Sequence, residues 1–359
     1  MSAKSEELLF SLVAPDTDIE NQKGPLLLSK NMNNLATRIF FPLSVATLLL
    51  GGCSEKQDVT PSIAAIAVNT AEFQILEEAA VRGGVVPLLS NKNPGDPSGN
   101  FTVFAPNNAA FARLGLTSAA DLNDLQKEFL TSTLKYHVAN GNLPATDLTA
   151  GSTSTSLLQV SRRLVVRPDG SRYVNGSRLV ATDVPAANGT VHVIDKVLLA
   201  TGLDIVASAV ALSEAKVFVK PELTFLVEAV LYADLAKDLM ATPGSPQLTV
   251  FAPTDQAFRE LGTLLGVPLN VPADIRGLPK ETVKAVLLNH VLAGSRFTPE
   301  LPESAAVTTL GGGSLRLGPF AAGALTVQGA GNAAPATMVI PDVQCTNGIV
   351  HVINRVLLP

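Results

Sequence analysis

A long internal repeat constrains the fold of this chain more than any other feature. Residues 101–111, FTVFAPNNAAF, return as LTVFAPTDQAF at 248–258, with seven of eleven positions identical. Residues 188–199, NGTVHVIDKVLL, return as NGIVHVINRVLL at 347–358, with nine of twelve identical. These offsets of 147 and 159 residues exceed the roughly 20–50 residues of a solenoid unit. The sequence therefore predicts two copies of one domain that differ by loop insertions.

All four histidines of the chain occupy matched positions in the two copies. His137 corresponds to His290, and His192 corresponds to His351. Around His290, apolar residues recur at the three- and four-residue spacing of one helix face. We therefore expect His137 and His290 to be partly buried near the C-terminus of a helix, where an imidazole can bond the last carbonyls.

The first repeated block predicts a strand, a cap and a helix. A β-rich run containing Phe104 or Phe251 stops at Pro106 or Pro253, because proline cannot donate a ladder hydrogen bond. The residue after each proline suits a helix N-cap. The predicted caps are Asn107 and Thr254, the predicted helix ends are Gly115 and Gly262, and the next helix is entered through Asp121 or Pro279.

The back half of each copy predicts short strands. Asp169-Gly170 and Asn175-Gly176 are strong hairpin signals between β-rich runs. Asn188 and Asn347 stand before the final strand of each copy. Because strands dominate and the helices gather toward the front half, the predicted class is α+β.

The N-terminus predicts a secretion signal followed by lipid attachment. Residues 39–50, IFFPLSVATLLL, are too short to span a bilayer, which takes about 20 apolar residues, but they suit the core of a secretory signal. The sequence LGGC at 50–53 looks like the lipobox of bacterial lipoproteins, in which Cys53 carries the lipid. A start at Met32 gives a signal of ordinary length. We therefore interpret residues 1–31 as a non-structural extension, 32–52 as the signal peptide and 53–60 as a tether.

Together these motifs resemble the fasciclin domain family. The FTVFAP-type block, the Tyr136-His137 pair and the closing NGxVHVI block look like its two signature regions and its central Tyr-His motif. The resemblance covers residues 61–200 and 202–359. It implies a β-wedge or sandwich packed with short helices in each domain, and a role in extracellular adhesion or matrix contact.

The resemblance also implies site residues. Tyr136 and His137 are candidate partner-binding residues, with Asn289 and His290 as their counterparts in a second copy that lacks the aromatic ring. Core packing is the alternative interpretation of all four. The residues expected to form the structural motifs are Phe104, Pro106, Asn188, His192, Phe251, Pro253, Asn347 and His351.

The sequence indicates no catalytic or metal chemistry. The histidines lie too far apart for ligand spacing, and no Gly-x-Ser-x-Gly turn is present. Residues 329–334 formally fit a dinucleotide fingerprint, but Pro335 follows where a helix would have to run, so we interpret them as a hairpin insertion. With 26 Lys and Arg against 31 Asp and Glu, no basic excess favours nucleic acid. We expect no cofactor, no metal and no enzymatic activity.

These observations favour a lipid-anchored binding protein of the bacterial envelope, delivered to the outer membrane, that contacts a protein or polysaccharide partner. One alternative is an envelope scaffold without an external ligand. Another is a hydrolase or ligand carrier, which would require a deep polar pocket.

Overall fold

The computed structural model describes residues 60–214, 222–242 and 244–359. The predicted extension, the signal peptide and Cys53 lie outside these residues. Two sheets with the same strand topology follow one another along the chain, which confirms the predicted duplication. We call the first copy domain 1 and the second copy domain 2.

Domain 1 builds a seven-stranded sheet from described residues, in the order β2-β1-β7-β6-β5-β4-β3. Its strands are β1 (Phe101–Pro106), β2 (Val138–Asn140), β3 (Thr153–Thr155), β4 (Ser161–Val166), β5 (Arg172–Val174), β6 (Ser177–Ala186) and β7 (Gly189–Ile194). Its helices are α1 (Ile63–Asn69), α2 (Gln74–Arg82), α3 (Val86–Ser90), α4 (Asn108–Ala112) and α5 (Lys127–Tyr136). A short strand, β8 (Leu199–Ala200), follows at its end.

Domain 2 repeats this order over the part of the chain that the structure describes. Its sheet runs β10-β9-β15-β14-β13-β12-β11. The strands are β9 (Leu248–Pro253), β10 (Val291–Ala293), β11 (Ala306–Thr308), β12 (Ser314–Leu317), β13 (Thr326–Gly329), β14 (Ala336–Cys345) and β15 (Gly348–Ile353). The helices are α6 (Ile205–Glu214), α7 (Thr224–Tyr232), α8 (Ala236–Leu239), α9 (Asp255–Leu265) and α10 (Lys280–Leu288). The predicted α+β class is confirmed.

A parallel pair of strands lies at the centre of each sheet. Every residue of β1 and β7 is buried, and the same holds for β9 and β15. Strands covered on both faces are expected to be apolar along their whole length, as the repeated TVFAP and VHVI runs are. The pairing sets Phe104 opposite His192 and Phe251 opposite His351.

The predicted caps and hairpins are confirmed. The side chains of Asn107 and Thr254 accept hydrogen bonds from the amides three residues later, at 3.0 and 3.2 Å. Asp169-Gly170 turns between β4 and β5, and Asn175 turns into β6 with a φ of 51°. The insertion at 329–334 lies in the hairpin between β13 and β14, as interpreted.

Two predicted helix boundaries are wrong. Helix α9 runs through Gly262 to Leu265, and Gly266, whose φ of 66° is left-handed, caps its C-terminus. A side chain at Gly262 would lie 2.7 Å from the carbonyl of Val267, so this glycine serves close packing. Asp121 does not begin α5; its carboxylate accepts the amide hydrogens of the preceding two-residue turn and caps a 3₁₀ segment at Ala119–Asp124.

The two domains are joined by more than the chain itself. Strand β8 pairs in parallel with β14 of domain 2, with Leu199 opposite Val343. Lys196 reaches from domain 1 to Asp342 of domain 2, and the buried ion pair measures 2.6 Å. Nearby, the hydroxyl of Tyr136 donates a hydrogen bond to the Gln344 side chain. The chain therefore folds as a domain pair with a polar, partly buried interface.

Candidate functional site

An apolar groove opens between the first two helices of domain 1. We call it groove 1. It has a cavity volume of about 100 Å³. Its walls and rim include Ala64, Ala67, Val68, Leu76, Ala80 and Val81, and its floor includes Val103, Phe104, His137 and Val191. Val68 and Val81 are largely exposed at the rim, so the groove presents an apolar surface to solvent.

Groove 2 lies at the equivalent place in domain 2, between α6 and α7, and has a volume of about 50 Å³. Val206, Ala209, Val210, Val227, Val230 and Leu231 form its walls and rim, and Val250, Phe251, His290 and Val291 form its floor. Leu231 is exposed at this rim. The duplicated domains thus carry duplicated grooves.

His137 and His290 are held identically below the grooves. The Nε2 atom of His137 accepts the Leu198 amide at 2.9 Å, so the proton lies on Nδ1, which donates to the carbonyl of Thr133 at 2.7 Å. His290 accepts the Leu357 amide at 2.8 Å and donates to Val286 at 2.7 Å. Burial lowers the pKa of both imidazoles to about 4. Both rings are therefore neutral at neutral pH and fully engaged in hydrogen bonds.

Tyr136 and Asn289 are also buried, but neither lines a groove. The Tyr136 hydroxyl accepts a hydrogen bond from Asn175 at 2.7 Å and donates one to Gln344, and burial raises its pKa to about 12. Asn289 donates to the Leu357 carbonyl at 3.2 Å. In this structure the four candidate partner-binding side chains are thus buried. The two histidines lie in the floors of the grooves, and Tyr136 and Asn289 form hydrogen bonds elsewhere.

The predicted structural-motif residues are brought together in each domain. His192 accepts the Asp183 amide through Nδ1 and donates through Nε2 to Leu143, and His351 repeats this with Asp342 and Arg296. Asn188 accepts the amide of Ile63, which begins α1, and Asn347 accepts the amide of Ile205, which begins α6. Each asparagine therefore fixes the helix that forms one wall of a groove.

Arg162 is a site residue that the sequence pattern did not reveal. It is fully buried on β4, with its guanidinium 4.8 Å from the Phe104 ring. It donates to the Tyr136 carbonyl at 2.7 Å and to the Ser154 hydroxyl at 2.8 Å. The equivalent position on β12 is Leu315. Arg162 and Arg163 stand side by side on β4, and the sequence alone does not show which of them is buried. Aligning β4 with β12 identifies Arg162, because its counterpart Leu315 is apolar.

Reactive chemistry has little support in the described residues. They contain no group of three or more His, Cys, Asp or Glu side chains placed to hold a metal ion. Burial raises the pKa of the Cys345 thiol to about 11, so it stays protonated. Within the same residues, no helix combines the length and apolar character needed to cross a membrane.

Comparison with known proteins places these features in a family. The fasciclin domain model matches residues 71–200 and 221–359. Transforming growth factor-beta-induced protein ig-h3 of Sus scrofa is 29% identical over 263 residues, which cover 73% of this chain and 35% of that protein. The chain thus spans about a third of that relative's length. Immunogenic protein MPB70 of Mycobacterium bovis is 32% identical over 180 residues, covering 46% of this chain and 89% of MPB70.

A solved structure is also similar, the FAS1 domain pair of the insect cell adhesion molecule fasciclin I. It matches at 20% identity with a TM-score of 0.36, covering 72% of this chain and 89% of the solved chain.

Proposed function

The chain belongs to the fasciclin domain family, and from this membership we propose that it is an extracytoplasmic binding protein that attaches a cell to a protein partner. The duplicated apolar grooves carry the proposal. They expose apolar side chains to solvent at equivalent places in both domains, and an apolar pocket of this kind can receive an anchoring side chain of a partner protein.

The size and chemistry of the grooves favour one class of partner. Volumes of about 100 and 50 Å³ fall well below the roughly 300–1,000 Å³ of pockets that enclose small-molecule ligands. They suit single apolar side chains, which anchor protein interfaces when they enter such pockets. A polysaccharide would need many hydrogen-bonding groups, whereas Glu77 is the only charged side chain among the described residues that line the two grooves. Of the two partner classes predicted from sequence, we therefore propose a protein.

We propose that the chain is not an enzyme. A general base needs a free lone pair within reach of substrate, whereas both nitrogens of His137 and of His290 are already committed to backbone groups. Their neutral rings give the groove floors little polarity. This supports binding rather than proton transfer.

We further propose that Cys53 carries the lipid that anchors the chain to the bacterial envelope, in the outer membrane. The support is the LGGC sequence after an apolar signal-like core. Labelling of growing cells with radioactive palmitate would test it. The native chain should take up label and Cys53→Ser should not, while equal labelling of both would overturn the proposal.

The adhesive role is tested by placing charge on the groove rims. A strain lacking the gene is complemented with the native chain, with Val68→Lys plus Val81→Lys, or with Leu231→Lys. The matched controls are Val180→Lys and Leu264→Lys, which charge exposed apolar residues outside the grooves. We expect the rim variants to lower attachment to protein-coated surfaces several-fold at equal surface amounts, and the controls to attach like the native strain.

Protease treatment of intact cells supplies the second readout, since a surface binder must be reached from outside. Equal attachment by deletion and native strains would contradict adhesion. Together with protection from protease and co-purification with an outer-membrane complex, it would favour the envelope scaffold instead.

A further inference from the structure

The interface between the two domains is asymmetric in charge. Domain 1 contributes basic side chains, which we call its exit face: Arg163, Arg167 and Lys196. Domain 2 contributes acidic side chains, which we call its receiving face: Glu300, Glu303 and Asp342. Arg163 lies 3.1 Å from Glu300, Arg167 lies 2.8 Å from Glu303, and Lys196 lies 2.6 Å from Asp342. Basic exit face and acidic receiving face are therefore complementary.

The lysine is the most specific of these contacts. Its Nζ donates to the Asp342 carboxylate at 2.6 Å, to the Thr298 hydroxyl at 3.1 Å and to the Gly323 carbonyl at 2.6 Å. All three protons of the ammonium group are thus used. A side chain at Gly176 would overlap Asp342, so the short Asn175-Gly176 turn is what lets the receiving face approach.

Because the domains are copies, domain 1 has a receiving face of its own. Asp183 matches Asp342, since each donates its amide to the histidine of the closing block and accepts an amide through its carboxylate. Asp147 matches Glu300 at the same offset of 153 residues that relates Gly170 to Gly323. Asp147, Asp183 and Gly170 are exposed, and neither aspartate forms an ion pair with any described residue.

Domain 2 likewise has an exit face. Arg316 matches Arg163 from the strand pairing, and Arg355 matches Lys196 in the closing block. Arg316 is exposed, and the Nε atom of Arg355 is buried without a hydrogen-bond partner among the described residues. The third pair has no counterpart on either side, because the matching positions are the uncharged Phe320 and Ala150. The remaining charged residues have the same signs as in the interface between the domains: they are basic on the exit face and acidic on the receiving face.

One structural difference separates the two exit faces. Where domain 1 turns with Asn175-Gly176, domain 2 has eight residues, 328–335. In that segment Asn332 accepts the Leu358 amide at 2.9 Å and donates to the Val356 carbonyl at 2.8 Å, and the Gly331 amide donates to the Leu358 carbonyl at 3.2 Å. In domain 1 the matching strand, β8, instead pairs with domain 2. The segment thus occupies, within domain 2, the place that a following domain would take.

We propose that residues 328–335 form a cap that prevents the exit face of domain 2 from docking on the receiving face of domain 1 in a second copy of this chain. With the cap removed, Arg355 meets Asp183 and Arg316 meets Asp147. Such a contact joins different surfaces of two copies, so it continues head to tail rather than closing as a two-fold dimer.

The test replaces residues 328–335 with Asn-Gly, the turn of domain 1, in the full chain kept in mild detergent. Sedimentation velocity over a range of concentrations should show the native chain as a monomer and the trimmed chain as head-to-tail oligomers that grow with concentration and shrink with salt. Adding Asp183→Lys to the trimmed chain should restore the monomer. Glu78→Lys, the same charge change at an exposed site on α2, should leave the oligomers intact.

Two results would overturn the proposal: a trimmed chain with native circular dichroism that stays monomeric, or oligomers that persist equally with Asp183→Lys. If the trimmed chain does not fold, Asn332→Ala replaces it, since this change removes the hydrogen bonds of the Asn332 side chain to Val356 and Leu358 without shortening the loop. A folded Asn332→Ala chain that remains monomeric at every concentration would likewise refute the cap.

Discussion

Lys196 and Asp342 stand 146 residues apart in the sequence, yet their side chains meet as a buried ion pair across the domain boundary. Burial alone would raise the pKa of Asp342, but the lysine and the surrounding donors lower it overall. Each charge therefore depends on the other.

Removing one member of this pair should destabilise the domain pair strongly. Lys196→Met leaves a buried carboxylate without its cation, and breaking such pairs costs about 3–5 kcal/mol. Lys280→Met is the matched control, because the Lys280–Asp234 pair is 41% and 78% exposed and such pairs contribute roughly 0–1 kcal/mol. Urea unfolding measures both. Equal losses for the two variants would mean that Lys196 contributes no more than a surface charge.

Stability should fall as the pH drops from 6.5 to 4. Burial depresses the folded-state pKa of His137 and His290 from 6.5 to about 4. Between these two pH values the unfolded chain therefore binds protons that the folded chain does not bind. The depression corresponds to about 3 kcal/mol for each ring. The contribution is fully present above pH 6.5 and lost by pH 4.

Urea unfolding at several pH values measures this slope, and His290→Gln should make it shallower, because glutamine does not titrate. His137→Gln should do the same in domain 1. If native and variant chains lost stability in parallel between pH 6.5 and 4, neither His137 nor His290 would be the source of the slope.

Gly176 should tolerate no side chain. A Cβ atom there would overlap the carboxylate of Asp342, so Gly176→Ala must push the domains apart or displace the ion pair, with a cost of at least about 3 kcal/mol from the broken pair. Gly277→Ala is the control, because its Cβ would meet no atom within 4 Å. Thermal unfolding of both, with limited proteolysis of β8, reports stability and interface opening. A Gly176→Ala chain as stable as Gly277→Ala would contradict the close approach.

The sequence predicted the elements of each domain better than the contacts between them. Caps such as Asn107 and Thr254 could be predicted because they depend on hydrogen bonds between residues close in the sequence. The final strand of each copy could be predicted because the repeated closing block is a nearly continuous apolar run. The predicted helix end at Gly262 was wrong because, in a sequence, a glycine required by close packing looks the same as a glycine that ends a helix.

The interface and the grooves depend on how elements distant in the chain pack together, so no sequence pattern indicates them directly. In the sequence, Lys196 looks like an ordinary surface lysine, and only the fold brings it to Asp342. The grooves form where α1 and α6 fail to cover the sheet completely, which is a matter of side-chain volume across several elements. His137 was singled out from sequence, but its place beneath a groove was not.

Strand β8 makes the unit of sequence and the unit of structure differ. The repeat and the matched family model both end the first copy near residue 200, yet Leu199 and Ala200 complete the sheet of the second copy. Separating the domains at that point would expose a bare edge on β14, and unpaired edges recruit other strands. The two copies are thus not interchangeable modules, because the sheet of the second copy includes a strand that the first copy supplies.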